Sequence, residues 1–114
     1  MIRKKFGPAI AGLFAGLRHR SIRIQFILGA MAIAAGLLLR ISSGEWIAVI
    51  LCIGLVIQAE FMNTAIEFIC NYLTINRDEK IKVIKDLAAG GVLVSSGAAL
   101  FVAIIIFVRH VFGV

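Results

Sequence analysis

Three long apolar runs, parted by short polar stretches, lay out the chain. The first covers 22–41 and is interrupted only by Arg23 and Gln25 near its start and Arg40 near its end. The second covers 46–72 and the third 86–108, opening at Asp86. Each reaches the roughly 20 residues that a helix needs to cross a hydrocarbon core of about 30 Å. Arginines at span ends can snorkel to the interface, and Trp46 stands where an interfacial aromatic belongs. The second run exceeds the bilayer's thickness, so its last turns, with Glu67 and Asn71, are expected to emerge from the apolar layer. Ser42-Ser43-Gly44-Glu45 reads as a short turn and 73–85 as a polar loop. Ahead of these, Phe6, Ile10, Leu13, Phe14 and Leu17 recur at helical spacing within a basic segment, 1–20. This predicts an amphipathic helix lying among head groups, with Pro8 in its first turn. Its apolar stretch is short, glycine-bearing and followed by Arg18-His19-Arg20, unlike a cleaved signal peptide.

Composition agrees with this pattern. The 114 residues are 61% hydrophobic with a mean hydropathy of +1.05, too apolar for a water-soluble domain of this size. The expectation is one all-α integral membrane domain, 1–114, with a surface helix and three spans. The net charge of +6 has a sided distribution. Arg3, Lys4, Lys5, Arg18, Arg20 and Arg23, with Arg77, Lys80, Lys82 and Lys85, fall on one side; Arg40 and Arg109 fall on the other. The positive-inside rule then places the N-terminus and the 73–85 loop in the cytoplasm. No interleaved basic and aromatic pattern suggests nucleic acid as a partner. Cys52 and Cys70 are roughly 27 Å apart along one helix, too far to pair within it, and read as apolar thiols.

The chemistry collects on one stripe of the second run. Glu60, Asn63, Glu67 and Asn71 fall within roughly 80° of helical arc. Ionisable groups at membrane depth are costly and usually functional. Glu67 lies roughly 10 Å beyond Glu60 toward the cytoplasm, where Lys85 and Asp86 open the third run. The two acids therefore divide by depth. Glu60 suits a general base accepting a proton from an alcohol. Glu67 suits a hold on Mg²⁺ with phosphate oxygens, and Lys85 suits neutralising phosphoryl charge. Asn63 can orient a carboxylate or a hydroxyl. Ala88-Ala89-Gly90-Gly91 and Ser95-Ser96-Gly97 read as close-packing surfaces. His19 and His110 flank spans and read as solvated histidines.

Glu60-Phe61-Met62-Asn63-Thr64-Ala65-Ile66-Glu67 resembles the E-x-x-N-[ST]-A-I-E signature of the bacterial integral-membrane diacylglycerol kinase and undecaprenol kinase family. Lys85-Asp86, the small-residue run that follows and Val92-Leu93 resemble its second motif, and Gly44-Glu45-Trp46 also fits. The resemblance implies a homotrimer of three-span protomers in the bacterial cytoplasmic membrane, with active sites shared between protomers. It implies transfer of phosphate from MgATP to a lipid alcohol, diacylglycerol or undecaprenol, with Mg²⁺ as cofactor. It assigns Glu60 as proton acceptor, Asn63 in support, and Glu67, Lys85 and Asp86 to the nucleotide. Glu67 also takes the metal, and Glu60 and Ala89 the lipid. Where the family has an acid before the first span this chain has His19, the matching metal position. Asn71 replaces a usual aspartate, and Ile84 an alanine. Thr64, rather than serine, leans toward the undecaprenol-type relatives.

Two other classes fit parts of the pattern. A small proton-coupled transporter uses a membrane glutamate but generally has four spans. A weakened kinase homologue acting as a scaffold would account for His19 and Asn71.

Overall fold

The computed structural model describes residues 2–73, 76 and 78–113, with residues 2–5 as backbone alone. The side chains of Arg3, Lys4, Lys5 and Arg77, counted above for orientation, therefore lie outside the described residues. The fold is all-helical: α1 Ile2–Gly16, α2 Arg20–Leu39, α3 Ser43–Leu73 and α4 Glu79–Phe112. α2, α3 and α4 are each long and apolar enough to cross a membrane.

Helix α3 is the centre, packed against both α2 and α4. The α3–α4 pair is antiparallel. His110 near the end of α4 meets Glu45 at the start of α3, and Lys85 near the start of α4 meets Asn71 near the end of α3. That register sets Glu60 level with Ser95 and Ser96, and Glu67 level with Ala88 and Ala89. Few side chains are enclosed: Ile22, Ile41, Val56, Cys70 and Ile106 are the buried apolar ones. Only 17% of the apolar windows of α2 and α3, and 6% of that of α4, is buried. Such an exterior is stable against lipid or against other apolar chains, not against water. Cys52 and Cys70 are both free thiols.

Three element boundaries differ from the sequence reading, each for a local reason. Residues 42–45 form a capping box rather than a plain turn. Ser42 Oγ accepts from the Glu45 N–H at 3.2 Å, and Glu45 Oε1 accepts from the Ser42 N–H at 2.8 Å. Two free donors of the helix start are thereby satisfied. Helix α4 begins at Glu79, well before the apolar run, because Asp78 caps it: Oδ1 accepts from the N–H groups of Lys80 and Ile81. Much of the expected 73–85 loop is thus helical. Helix α1 begins at Ile2, so Pro8 lies inside it and not in its first turn.

Helix α2 ends in a Schellman turn. Arg40 takes the left-handed conformation (φ 55°, ψ 53°), and the Ile41 N–H donates to the Gly36 carbonyl at 3.2 Å. A Cβ at Gly36 would stand 2.9 Å from Trp46 and 3.0 Å from Ile41, so glycine lets α3 close on α2 here. At the other end, α1 turns into α2 through Leu17, Arg18 and His19. The Arg23 guanidinium donates to the carbonyls of Leu17 and Arg18, each at 3.4 Å, which no longer have helical partners. Gly16 is buried against Phe61 of α3, whose ring occupies the space that a Cβ would need.

Candidate functional site

The stripe of α3 keeps its helical order and differs in exposure along its length. Glu60 is 7% exposed, whereas Glu67 is exposed. Among the described residues the Glu60 carboxylate has no hydrogen bond or ion pair. Asn63, one turn on, donates Nδ2 to Glu67 Oε1 at 3.2 Å. Its Oδ1 is buried without a hydrogen-bond partner. The amide thus holds one oxygen of the Glu67 carboxylate and keeps a buried, unsatisfied acceptor.

Helix α4 brings its first turns to the same end. Lys85 Nζ donates to Asn71 Oδ1 at 2.8 Å, joining the two helices across the mouth of the hairpin. Asp86 accepts from Lys82 Nζ at 2.7 Å on its own helix. That pair is exposed on both sides, so it is worth only a few tenths of a kcal/mol, roughly, and opens readily to a competing ligand. Ala89 is exposed on α4, level with Glu67. Glu67, Lys85, Asp86 and Ala89 therefore share one end of the hairpin, and Glu60 lies deeper along α3.

His19 stands at the N-cap position of α2 without capping it. Its ring meets Phe68 of α3 edge-on, with centroids 5.3 Å apart and planes at 88°. It is therefore half-buried against an aromatic ring, not a solvated histidine, and it lies beside the turn that carries Glu67. His110 is likewise not free in solvent. Its Nε2 is 2.8 Å from Glu45 Oε1, at the opposite end of the molecule. The other oxygen of the buried Glu45 has no hydrogen bond, and Arg109 approaches it at 3.8 Å.

Among the described residues, no three His, Cys, Asp or Glu side chains converge where a metal ion could sit. The donor set at this end still suits Mg²⁺. Glu67 offers an exposed hard-oxygen ligand, and Mg²⁺ is commonly bound through one or two carboxylates plus substrate phosphates and water. A histidine nitrogen is a poorer ligand for it.

Sequence reasoning missed several groups at this end. Lys82 was marked only by its four-residue spacing to Asp86. Phe61 and Phe68, which seat Gly16 and His19, read as ordinary apolar positions, and only the tertiary packing distinguishes them. At the opposite end, the Ser42–Glu45 box had a legible signal, S-x-x-E before an apolar run.

The profile described as "Prokaryotic diacylglycerol kinase" matches residues 7–107. An undecaprenol kinase of Bacillus subtilis (strain 168) is 30% identical over 105 residues, covering 91% of this chain and 85% of that protein. No solved structure gives a significant match.

Proposed function

The chain belongs to the prokaryotic diacylglycerol kinase family and is an integral-membrane lipid kinase, and from that premise we propose that it moves the γ-phosphate of ATP to the hydroxyl of a lipid alcohol. Undecaprenol is the acceptor placed first, because the 30% identical relative is an undecaprenol kinase and Thr64 leans the same way; diacylglycerol is second. The observation that carries the reading is the contrast along one helix face: a buried carboxylate, Glu60, two turns from an exposed one, Glu67, that shares its end with Lys85.

The roles follow from that contrast. Glu60 accepts the hydroxyl proton as the alcohol oxygen bonds to the γ-phosphorus, and the bond to the departing ADP breaks. Asn63 holds Glu67 in one orientation. Lys85 and Asp86 bind the nucleotide, with Lys85 balancing charge on the phosphates. Ala89 leaves room on α4 for the lipid. Glu67 would hold Mg²⁺, which when bound neutralises phosphate charge; His19 is a second candidate ligand beside it.

The protein sits in the bacterial cytoplasmic membrane, with the N-terminus and the α3–α4 connection in the cytoplasm, where ATP is. The exposed Phe6, Ile10, Leu13 and Phe14 of α1 support a helix lying on that membrane surface. Protomers assemble as a trimer with sites shared between them. The test is purified protein in mixed micelles with labelled ATP, Mg²⁺ and a panel of lipid alcohols. Label should enter undecaprenol first. Glu60→Gln should lower the rate at least about a hundredfold, the usual range for a general base, while the assembly stays intact. Undiminished transfer by that variant would remove Glu60 from the mechanism.

A further inference from the structure

The contact between Lys85 and Asn71 has a chemical consequence. Lys85 Nζ donates to Asn71 Oδ1 at 2.8 Å across 14 positions of sequence, from α4 to α3. Lys85 is half-buried and Asn71 is exposed, so the bond lies at the mouth of the hairpin, not in its interior. The neighbouring charges are engaged with other partners: Asp86 with Lys82 at 2.7 Å and Glu67 with Asn63 at 3.2 Å. Among the described residues Lys85 is thus held by a neutral amide and by no carboxylate.

An amide oxygen orients an ammonium group without neutralising it. A lysine ammonium has three donors, so after one goes to Asn71 two remain for phosphate oxygens. Four rotatable bonds would otherwise leave the amine spread over many positions, and ordering it on binding costs free energy. We propose that Asn71 is a positioning residue: its Oδ1 holds the Lys85 ammonium at the end of α3, with its full charge available to the phosphates of a nucleoside triphosphate. This rests on reading Lys85 as a phosphate-binding group. Asn71 then marks a different way of presenting the lysine, and not a decayed site.

The experiment measures ATP affinity directly by titration calorimetry on the full chain in micelles, alongside KM and kcat for transfer. Asn71→Leu removes the acceptor at similar size. It should weaken ATP binding and raise KM for ATP by roughly tenfold, the scale of one hydrogen bond to a charged group, with kcat changed less than about threefold. Asn71→Asp keeps an oxygen acceptor but offsets the ammonium's charge, so it should bind ATP more weakly than the parent. In a Lys85→Ala background, Asn71→Leu should have no further effect on ATP affinity, because the two residues act as one unit. An Asn71→Leu protein that binds ATP like the parent overturns the proposal. So does a loss that persists in full when Lys85 is absent, or an Asn71→Asp protein that binds ATP as tightly as the parent. Parent protein that binds ATP but labels no lipid would overturn the kinase reading instead, while the affinity series still decides the role of Asn71.

Discussion

Asn63 stands between Glu60 and Glu67 on one face of α3 and holds the second of them. Its Nδ2 holds Glu67 Oε1 at 3.2 Å, and its Oδ1 is a buried acceptor with no partner. Asn63→Ala removes the hold on Glu67 and leaves the acids in place. It should raise the Mg²⁺ and ATP concentrations needed for half-maximal transfer by roughly fivefold to tenfold, the worth of one charge-assisted hydrogen bond. Asn63→Asp is the harsher change. It puts a third carboxylate on the stripe, one turn from Glu67 and one turn from Glu60, replacing a donor with like charge. A rate loss larger than that of Asn63→Ala is expected, measured as kcat/KM for the lipid at fixed ATP. Equal losses in the two variants would mean that Asn63 does no more than fill space. The stripe itself could be read from the sequence, because helical periodicity places 60, 63, 67 and 71 together whatever the fold around them. The partner of each side chain could not. Lys85 meets Asn71, and His110 meets Glu45 across 65 positions, only because α3 and α4 run antiparallel in one register.

Helix ends carry the next level of control, since Lys85 and Asp86, the groups proposed to bind nucleotide, lie only two turns from the start of α4. Asp78 Oδ1 takes two backbone N–H groups, at 2.9 and 3.2 Å. Asp78→Ala should cost about 1 kcal/mol at that end. The expected signature is faster amide exchange over 79–86 and a higher KM for ATP, with Asp78→Ser restoring both. The far end of α2 offers the opposite change. Arg40 pays for a left-handed backbone, φ 55° and ψ 53°, in a turn that glycine adopts freely. Arg40→Gly should therefore raise the thermal midpoint in micelles, by the equivalent of up to about 1 kcal/mol. These boundaries show what the hydropathy pattern conceals. The apolar runs at 22–41, 46–72 and 86–108 mark where a membrane can be crossed, but a helix ends where its free donors and acceptors are satisfied. For α4 that point is Asp78, inside a polar stretch that reads by composition as a loop. The spans were therefore legible in outline, and the caps only through the short motifs that hydropathy averages away.

At the scale of the whole molecule, the single chain leaves an unusual amount of apolar surface open, most of all on α4. Leu87, Leu93 and Val94 are each 73% exposed and Phe101 is 70% exposed. Lipid can cover such side chains, but it does not explain the glycines among them. Gly90, Gly91 and Gly97 lie inside α4, and a Cβ at any of them would meet nothing within 4 Å. Each costs roughly 1 kcal/mol of helix propensity against alanine, and packing within this chain returns none of it. Gly16 and Gly36 differ, since their own chain occupies the space that a side chain would need. In membranes small residues let helices of separate chains approach closely, a use that the α4 glycines would suit. If α4 is where protomers meet, Gly91→Leu should break the assembly without unfolding the chain. Light scattering after size exclusion, corrected for detergent, should give the parent three times its 12.3 kDa chain mass. The variant should fall toward one chain mass with unchanged helical circular dichroism, and lose transfer activity as it does so. A parent of one chain mass that is fully active would remove the trimer from the account. A trimeric Gly91→Leu protein would place the contact on another face and leave these glycines without a packing role.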